Sequence, residues 1–173
     1  MKKKKVLVGI SLGLLFSLPV ALGVIAFPEI LPIKNTELKE VSVNGFFVGQ
    51  ILDKIPKDFV QIDNTGDLTT YEIEGTNLLH MILSDRDNKV TSIHSYYQDE
   101  KKESHLLAPS IDNLVVGKSS YNEVLDTYGN NYNKMLFSDA WEQVIIFKDS
   151  NAKLKLKCCF NGNILVCAFL EAY

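Results

Sequence analysis

One unit occurs twice in this chain, and a tandem repeat restricts the fold more than any single motif does. The first copy opens with "VSVNGFFVGQILDKIPKDF", Val41–Phe59, and the second with "PSIDNLVVGKSSYNEVLDTYG", Pro109–Gly129. Each runs from apolar residues through a Val-Gly step into a short amphipathic segment, with Gly49 and Gly117 equivalent. Each continues as strand, turn, strand, turn, strand, over Leu68–Tyr97 in the first copy and Ala140–Tyr173 in the second. The expected turns are Glu74-Gly75-Thr76-Asn77 and Asp85-Arg86-Asp87-Asn88 in the first copy. In the second they are Lys148-Asp149-Ser150-Asn151 and Asn161-Gly162, and an Asn-Gly between alternating apolar runs is a strong hairpin signal.

"KLKLKCCF" alternates strictly, which puts Leu154, Leu156 and Cys158 on one face and Lys153, Lys155 and Lys157 on the other. A sheet with one dry and one wet face follows. The segments after Gly49 and Gly117 are the available covers for the dry face, read as short helices. The predicted fold class is therefore α+β: two tandem repeats, each a short helical segment packed on an antiparallel sheet, after an N-terminal apolar helix. The predicted divisions are residues 1–33 for that leading segment, 34–97 for the first repeat, 98–108 for a charged linker and 109–173 for the second repeat.

Within the second copy, "LVVGKSS" at Leu114–Ser120 looks like the end of a phosphate-binding loop. Such a loop needs G-x-x-x-x-G-K-[ST], and the position of its first glycine is held by Asp112, whose carboxylate repels phosphate. A helix start accounts for the same residues. Ser119 or Ser120 serves as N-cap, and Ser120 with Glu123 fits a capping box. Tyr121, Val124, Leu125 and Tyr128 then form an apolar face, and Gly129 ends the helix.

The N-terminus carries Lys2–Lys5 and then no charge until Glu29. This reads as a signal peptide with an apolar core at Val6–Leu18 and a small-residue cleavage site ending at Ala26. It reads equally as a membrane anchor over residues 6–27, oriented by the lysines. Either way the body lies outside the cytoplasm, anchored in the cell membrane or secreted, as in Gram-positive exported proteins. Without the four lysines the rest carries a formal −7. An acidic body offers no electrostatic footprint for nucleic acid.

The pattern I-x-x-L-x-x-G-x-S-x-x-E-V-L-x-x-Y-G is carried by Ile111, Leu114, Gly117, Ser119 or Ser120, Glu123, Val124, Leu125, Tyr128 and Gly129. Followed by amphipathic strands, it resembles the repeat of the beta-lactamase-inhibitor-protein-like (BLIP-like) superfamily, exported bacterial modules. The first copy departs from it, since Pro56 interrupts its helical segment and no glycine closes it. The resemblance implies an export-linked binding module with no catalytic residues and no cofactor. It does not imply inhibition of a beta-lactamase.

The residues that carry chemistry agree. His80, His94 and His105 lack the close spacing of a metal site, and no G-x-S-x-G marks a nucleophile. Of Cys158, Cys159 and Cys167, a Cys158–Cys167 bridge is one expectation and buried reduced thiols the other. Tyr96, Tyr97, Tyr132, Phe137 and Trp141 fall near strand ends and loops, where large amphipathic rings serve as partner anchors or cap the core. The expected function is a non-enzymatic binding module of the cell envelope, contacting a protein or another envelope component through the wet sheet face. A membrane-associated immunity-type protein against a toxin and a small secreted enzyme are the alternatives.

Overall fold

A computed structural model describes residues 35–76, 78–97, 107–135 and 141–173. Four strands fill the first half: β1 (Phe59–Thr65), β2 (Leu68–Ile73), β3 (Leu79–Ser84) and β4 (Val90–Tyr96). A two-stranded hairpin follows, β5 (Ser110–Ile111) and β6 (Leu114–Val115), and then helix α1 (Tyr121–Tyr128). The second half ends with β7 (Asn133–Met135), β8 (Gln143–Asp149), β9 (Leu154–Asn161) and β10 (Ile164–Ala172).

Eight of these strands form one antiparallel sheet in the order β1-β2-β3-β4-β10-β9-β8-β7. The order is unchanged when the two halves are exchanged and the list reversed. The last strand of each half therefore meets the other at the centre, with Ile93 opposite Leu170 and Ser95 opposite Ala168. The same exchange relates the turns above the sheet. Asn44 donates its N–H to the Ser110 carbonyl while Asp112 donates to the Ser42 carbonyl, at 2.9 and 3.0 Å. The amide of Ser110 donates to the Asn44 side chain, and that of Ser42 to the Asp112 carboxylate. Both residues sit in the left-handed region, at φ 50° and 51°, which Asn and Asp tolerate better than most side chains. Gly49 and Gly117 likewise donate to matching carbonyls, of Val90 and Leu165. Each half also carries an irregularity at the corresponding place, between Ile82 and Leu83 opposite Thr91, and between Leu165 and Cys167.

These contacts settle the reading of "LVVGKSS". Asp112 stands where a phosphate loop needs glycine because its carboxylate clasps Ser42 of the other half. It also accepts a 2.9 Å hydrogen bond from the Tyr128 hydroxyl of α1. Gly117, at φ 88°, turns the chain beneath the Tyr97 ring. Ser120 then caps α1, accepting from the Glu123 amide while the Glu123 carboxylate accepts from the Ser120 amide. Gly129 closes the helix by donating to the Leu125 carbonyl.

The α+β expectation is corrected here. Among the described residues the chain is mainly antiparallel sheet with one short helix, and the expected helical segment of the first repeat does not form. Pro56 lacks an N–H and disfavours helical backbone at Ile55. The segment after Gly49 also lacks a serine in the place of Ser120. It runs instead as turns and a bridge from Ile51 to Lys89. The dry face is still covered, by Leu38, Val41, Val43 and Leu52 from the first half of the chain and by Ile111, Leu114, Val116 and Val124 from the second. Beneath them lie Leu79, Met81, Ile93, Leu156, Cys158, Phe160 and Leu170. Strand β1 and the short strand β7 extend the sheet beyond the strands expected from the sequence.

The expected N-terminal helix, the anchor over residues 6–27 and the cleavage site at Ala26 lie outside the described residues, as does most of the charged linker. The expected transmembrane helix is not found among the described residues, none of whose helices is long and apolar enough to cross a membrane. The arm that enters at Asn35 is fixed by Asp149. One oxygen of that buried carboxylate accepts from the Leu38 amide, and the other from the Asn35 side chain and from the Asn151 and Ala152 amides.

Candidate binding face

The face opposite the covered one has its own pattern. Taking the pairings strand by strand, one transverse row runs Val60, Glu72, His80, His94, Phe169, Lys157, Ile146, Asn133, from β1 to β7 across all eight strands. Directly opposed residues in a sheet share a face, so these side chains lie side by side. Acid and imidazole stand on the first half, aromatic and ammonium near the centre, apolar and amide on the second half.

The centre of the row is aromatic. The ring of Phe169 packs edge-on against His94 at 4.9 Å between centroids, against Tyr96 at 5.1 Å and against Trp141 at 6.0 Å. Lys157 Nζ lies 5.2 Å from the Phe169 centroid and 5.3 Å from that of Trp141, a cation held over two ring faces. Val144, Ile146, Cys159 and Cys167 form the buried floor. Among the described residues of this cluster, Trp141 alone comes from outside the strands, and no described helix packs on this face.

A polar chain borders the aromatics. Lys155 Nζ lies 3.0 Å from Glu171 Oε2, and Glu171 Oε1 lies 2.9 Å from His94 Nε2, close but without the alignment of a hydrogen bond. The neighbouring His94 nitrogen, and Lys155 on the other oxygen, pull the Glu171 carboxyl below its ordinary value against the opposing effect of burial. Burial lowers His80 below the ordinary histidine value. Glu72, 3.8 Å away, opposes that shift and His94 adds to it. Glu171 is thus ionised and His80 neutral at neutral pH. Burial, with Glu171, raises the Tyr96 hydroxyl.

The expected anchors separate between the two faces. Tyr96 and Trp141 meet in the cluster on the open face, both half-buried. Tyr97, one residue further on, points to the covered side over Gly117. Tyr132 also packs in the main core, its hydroxyl 2.7 Å from that of Tyr121 and its ring against Phe147. Phe137 lies outside the described residues. Phe169, the hub of the cluster, escaped notice in the sequence because "ILVCAFLEA" reads as a continuous apolar strand. Only its register across from His94 and Lys157 assigns it to the open face.

The disulfide joins Cys159 to Cys167, correcting the expected Cys158–Cys167 pairing. The hairpin turns at Gly162-Asn163, so a regular ladder would have set Cys167 opposite Cys158. The irregularity between Leu165 and Cys167 adds one residue, Val166, and moves Cys167 to Cys159. Outside contacts hold that irregularity in place: Tyr97 donates to the Val166 carbonyl, and Leu165 donates to Ser119 and accepts from Gly117. Cys158 stays free in the main core, where burial pushes its thiol up and leaves it unreactive.

Among the described residues no three acidic, histidine or cysteine side chains are placed to hold a metal ion. His105 lies outside them. Comparison with protein-family models, curated proteins and solved structures finds no match for this chain.

Proposed function

We propose that this chain is a non-enzymatic protein-binding module working outside the cytoplasm, with the sheet face that carries the half-buried Tyr96 and Trp141 as its contact surface. The observation that carries this reading is the group of Trp141, Tyr96 and Phe169 beneath the Lys157 ammonium, set at the centre of the sheet. Rings of this kind bury large area at low entropic cost and form the energetic centre of protein interfaces. Strands hold Tyr96 and Phe169, so little order is lost there when a partner docks. The charged groups around them, Glu72, Lys155 and Glu171, form the polar rim such interfaces have.

The Cys159–Cys167 bridge supports the extracytoplasmic reading, since disulfides persist in oxidising compartments. The BLIP-like resemblance agrees with a binding role for two tandem sheet-forming units, and the partner is named here only as a protein. Capture from an envelope extract by the full chain tests the reading. Trp141→Ala and Tyr96→Ala are each expected to weaken the captured partner roughly thirtyfold, the loss of about 2 kcal/mol typical of an aromatic anchor. A partner held equally well by both variants places the contact elsewhere and sinks the proposal.

A further inference from the structure

A cleft of about 1050 Å³ lies on the covered side, at the end of the sheet where β4 begins and β10 ends. It is bounded by the arm at Asn35–Lys39, the turn before β4, and the turn between β8 and β9. Each of these segments contributes one lysine to its lining: Lys39, Lys89 and Lys153. Among the described residues none of the three is in an ion pair. The carboxylate of Asp149 in the same wall already accepts from four donors, which leaves it no hydrogen-bonding capacity for the lysines. Glu37 is the remaining acid of the lining.

Three ammoniums around one cleft repel each other, and an anion between them relieves that repulsion. Lys153 adds a second sign. It sits at φ 58°, in the left-handed region, where glycine or asparagine would be less strained. The floor of the cleft is apolar, with Val48, Val90 and Leu154. Small-molecule sites combine such a floor with a few convergent polar groups in a space of this size.

We infer that this cleft binds a small amphipathic anion, with a phosphate or carboxylate head against the three lysines and a short apolar body on the floor. This site is separate from the open face, so the two readings stand or fall independently. The full chain is titrated with octyl phosphate, octyl glucoside and inorganic phosphate by calorimetry. Octyl phosphate is expected to bind about tenfold or more tighter than either of the others, since each lacks half of the recognised chemistry. All three lysines are exposed, so the triple variant Lys39→Gln, Lys89→Gln, Lys153→Gln keeps the fold. It is expected to lose about tenfold in octyl phosphate affinity. Trp141→Ala leaves that affinity unchanged. Equal binding of octyl glucoside and octyl phosphate, or unchanged octyl phosphate binding in the triple variant, overturns the inference. Sedimentation with phosphatidylglycerol vesicles, wild type against triple variant, identifies the source. A difference between the two makes the head a lipid's, and equality with the octyl phosphate result intact makes the ligand a soluble one.

Discussion

Gly117→Ala is expected to destabilise the protein by about 3 kcal/mol or more, lowering the thermal midpoint by roughly 10 °C. Two costs combine. At φ 88° a side chain is strained wherever it points. A Cβ at this position would also overlap the ring of Tyr97, which is itself fixed by its amide's hydrogen bond to Val166. Gly49 separates the two costs, because it has the same backbone role at φ 93° but nothing within 4 Å of an added Cβ. Gly49→Ala should therefore cost only the backbone share, about 1–2 kcal/mol. Chemical denaturation of both variants measures the difference. Combining Gly117→Ala with Tyr97→Ala should recover about 1 kcal/mol or more relative to the sum of the single effects. Additive losses would mean that the ring does not limit this glycine.

Asp149→Ala is expected to cost about 3 kcal/mol, since buried backbone donors lose a charged acceptor. The carboxylate is 3% exposed, covered by its own turn and the arm rather than by the depth of the core. Desolvation alone would raise its pKa, but the donors from Ala152, Leu38, Asn35 and Asn151 outweigh it, and the folded value falls below the ordinary one. The sign of the pH dependence follows. A carboxyl depressed in the folded state contributes its full stability above the unfolded value of about 3.9 and loses it as pH falls through the folded value. The gap between wild type and Asp149→Ala should be constant from pH 7 to about pH 5 and narrow below about pH 4. Asp149→Asn keeps the oxygen facing Asn151 and Ala152 but turns an NH₂ toward the Leu38 amide. It should lose roughly half as much stability and release the arm first, seen as faster amide exchange at Leu38. A gap that widens on acidification would contradict this role for Asp149.

What the sequence revealed depended on whether the signal was local. The cap at Ser120 with Glu123, the closing Gly129 and the alternation in "KLKLKCCF" are short-range patterns, and each has its counterpart in the structure. The phosphate-loop likeness also dissolved locally, at Asp112. Its actual task, clasping Ser42 from the other half, spans 70 residues and leaves no mark in the segment itself. No helix forms after Gly49 because Pro56 outweighs the apolar periodicity of that segment. Strand β1 went unread because "FVQIDNT" is an exposed edge strand without a dry face.

The disulfide and the binding face were hidden for one shared reason. Both depend on register, and one extra residue at Val166 decides it. Tyr96 and Tyr97 show the same point more simply: adjacent strand residues point to opposite faces, so only one of the pair can belong to the aromatic group. Phe169 becomes its hub because β10 pairs with both β4 and β9, a meeting of the two halves that no local pattern predicts.

The central claim is that the open face is the working surface, and site-specific photocrosslinking in intact cells tests it most directly. A benzophenone side chain is placed at Glu72 or Asn133, on opposite halves of the transverse row, or at Lys118 on the covered side. Crosslinked protein adducts at Glu72 and Asn133 but not at Lys118, lost when Trp141→Ala is added, are the predicted result. Adducts that form at Lys118 alone, or that persist at all three positions in the Trp141→Ala background, would contradict it.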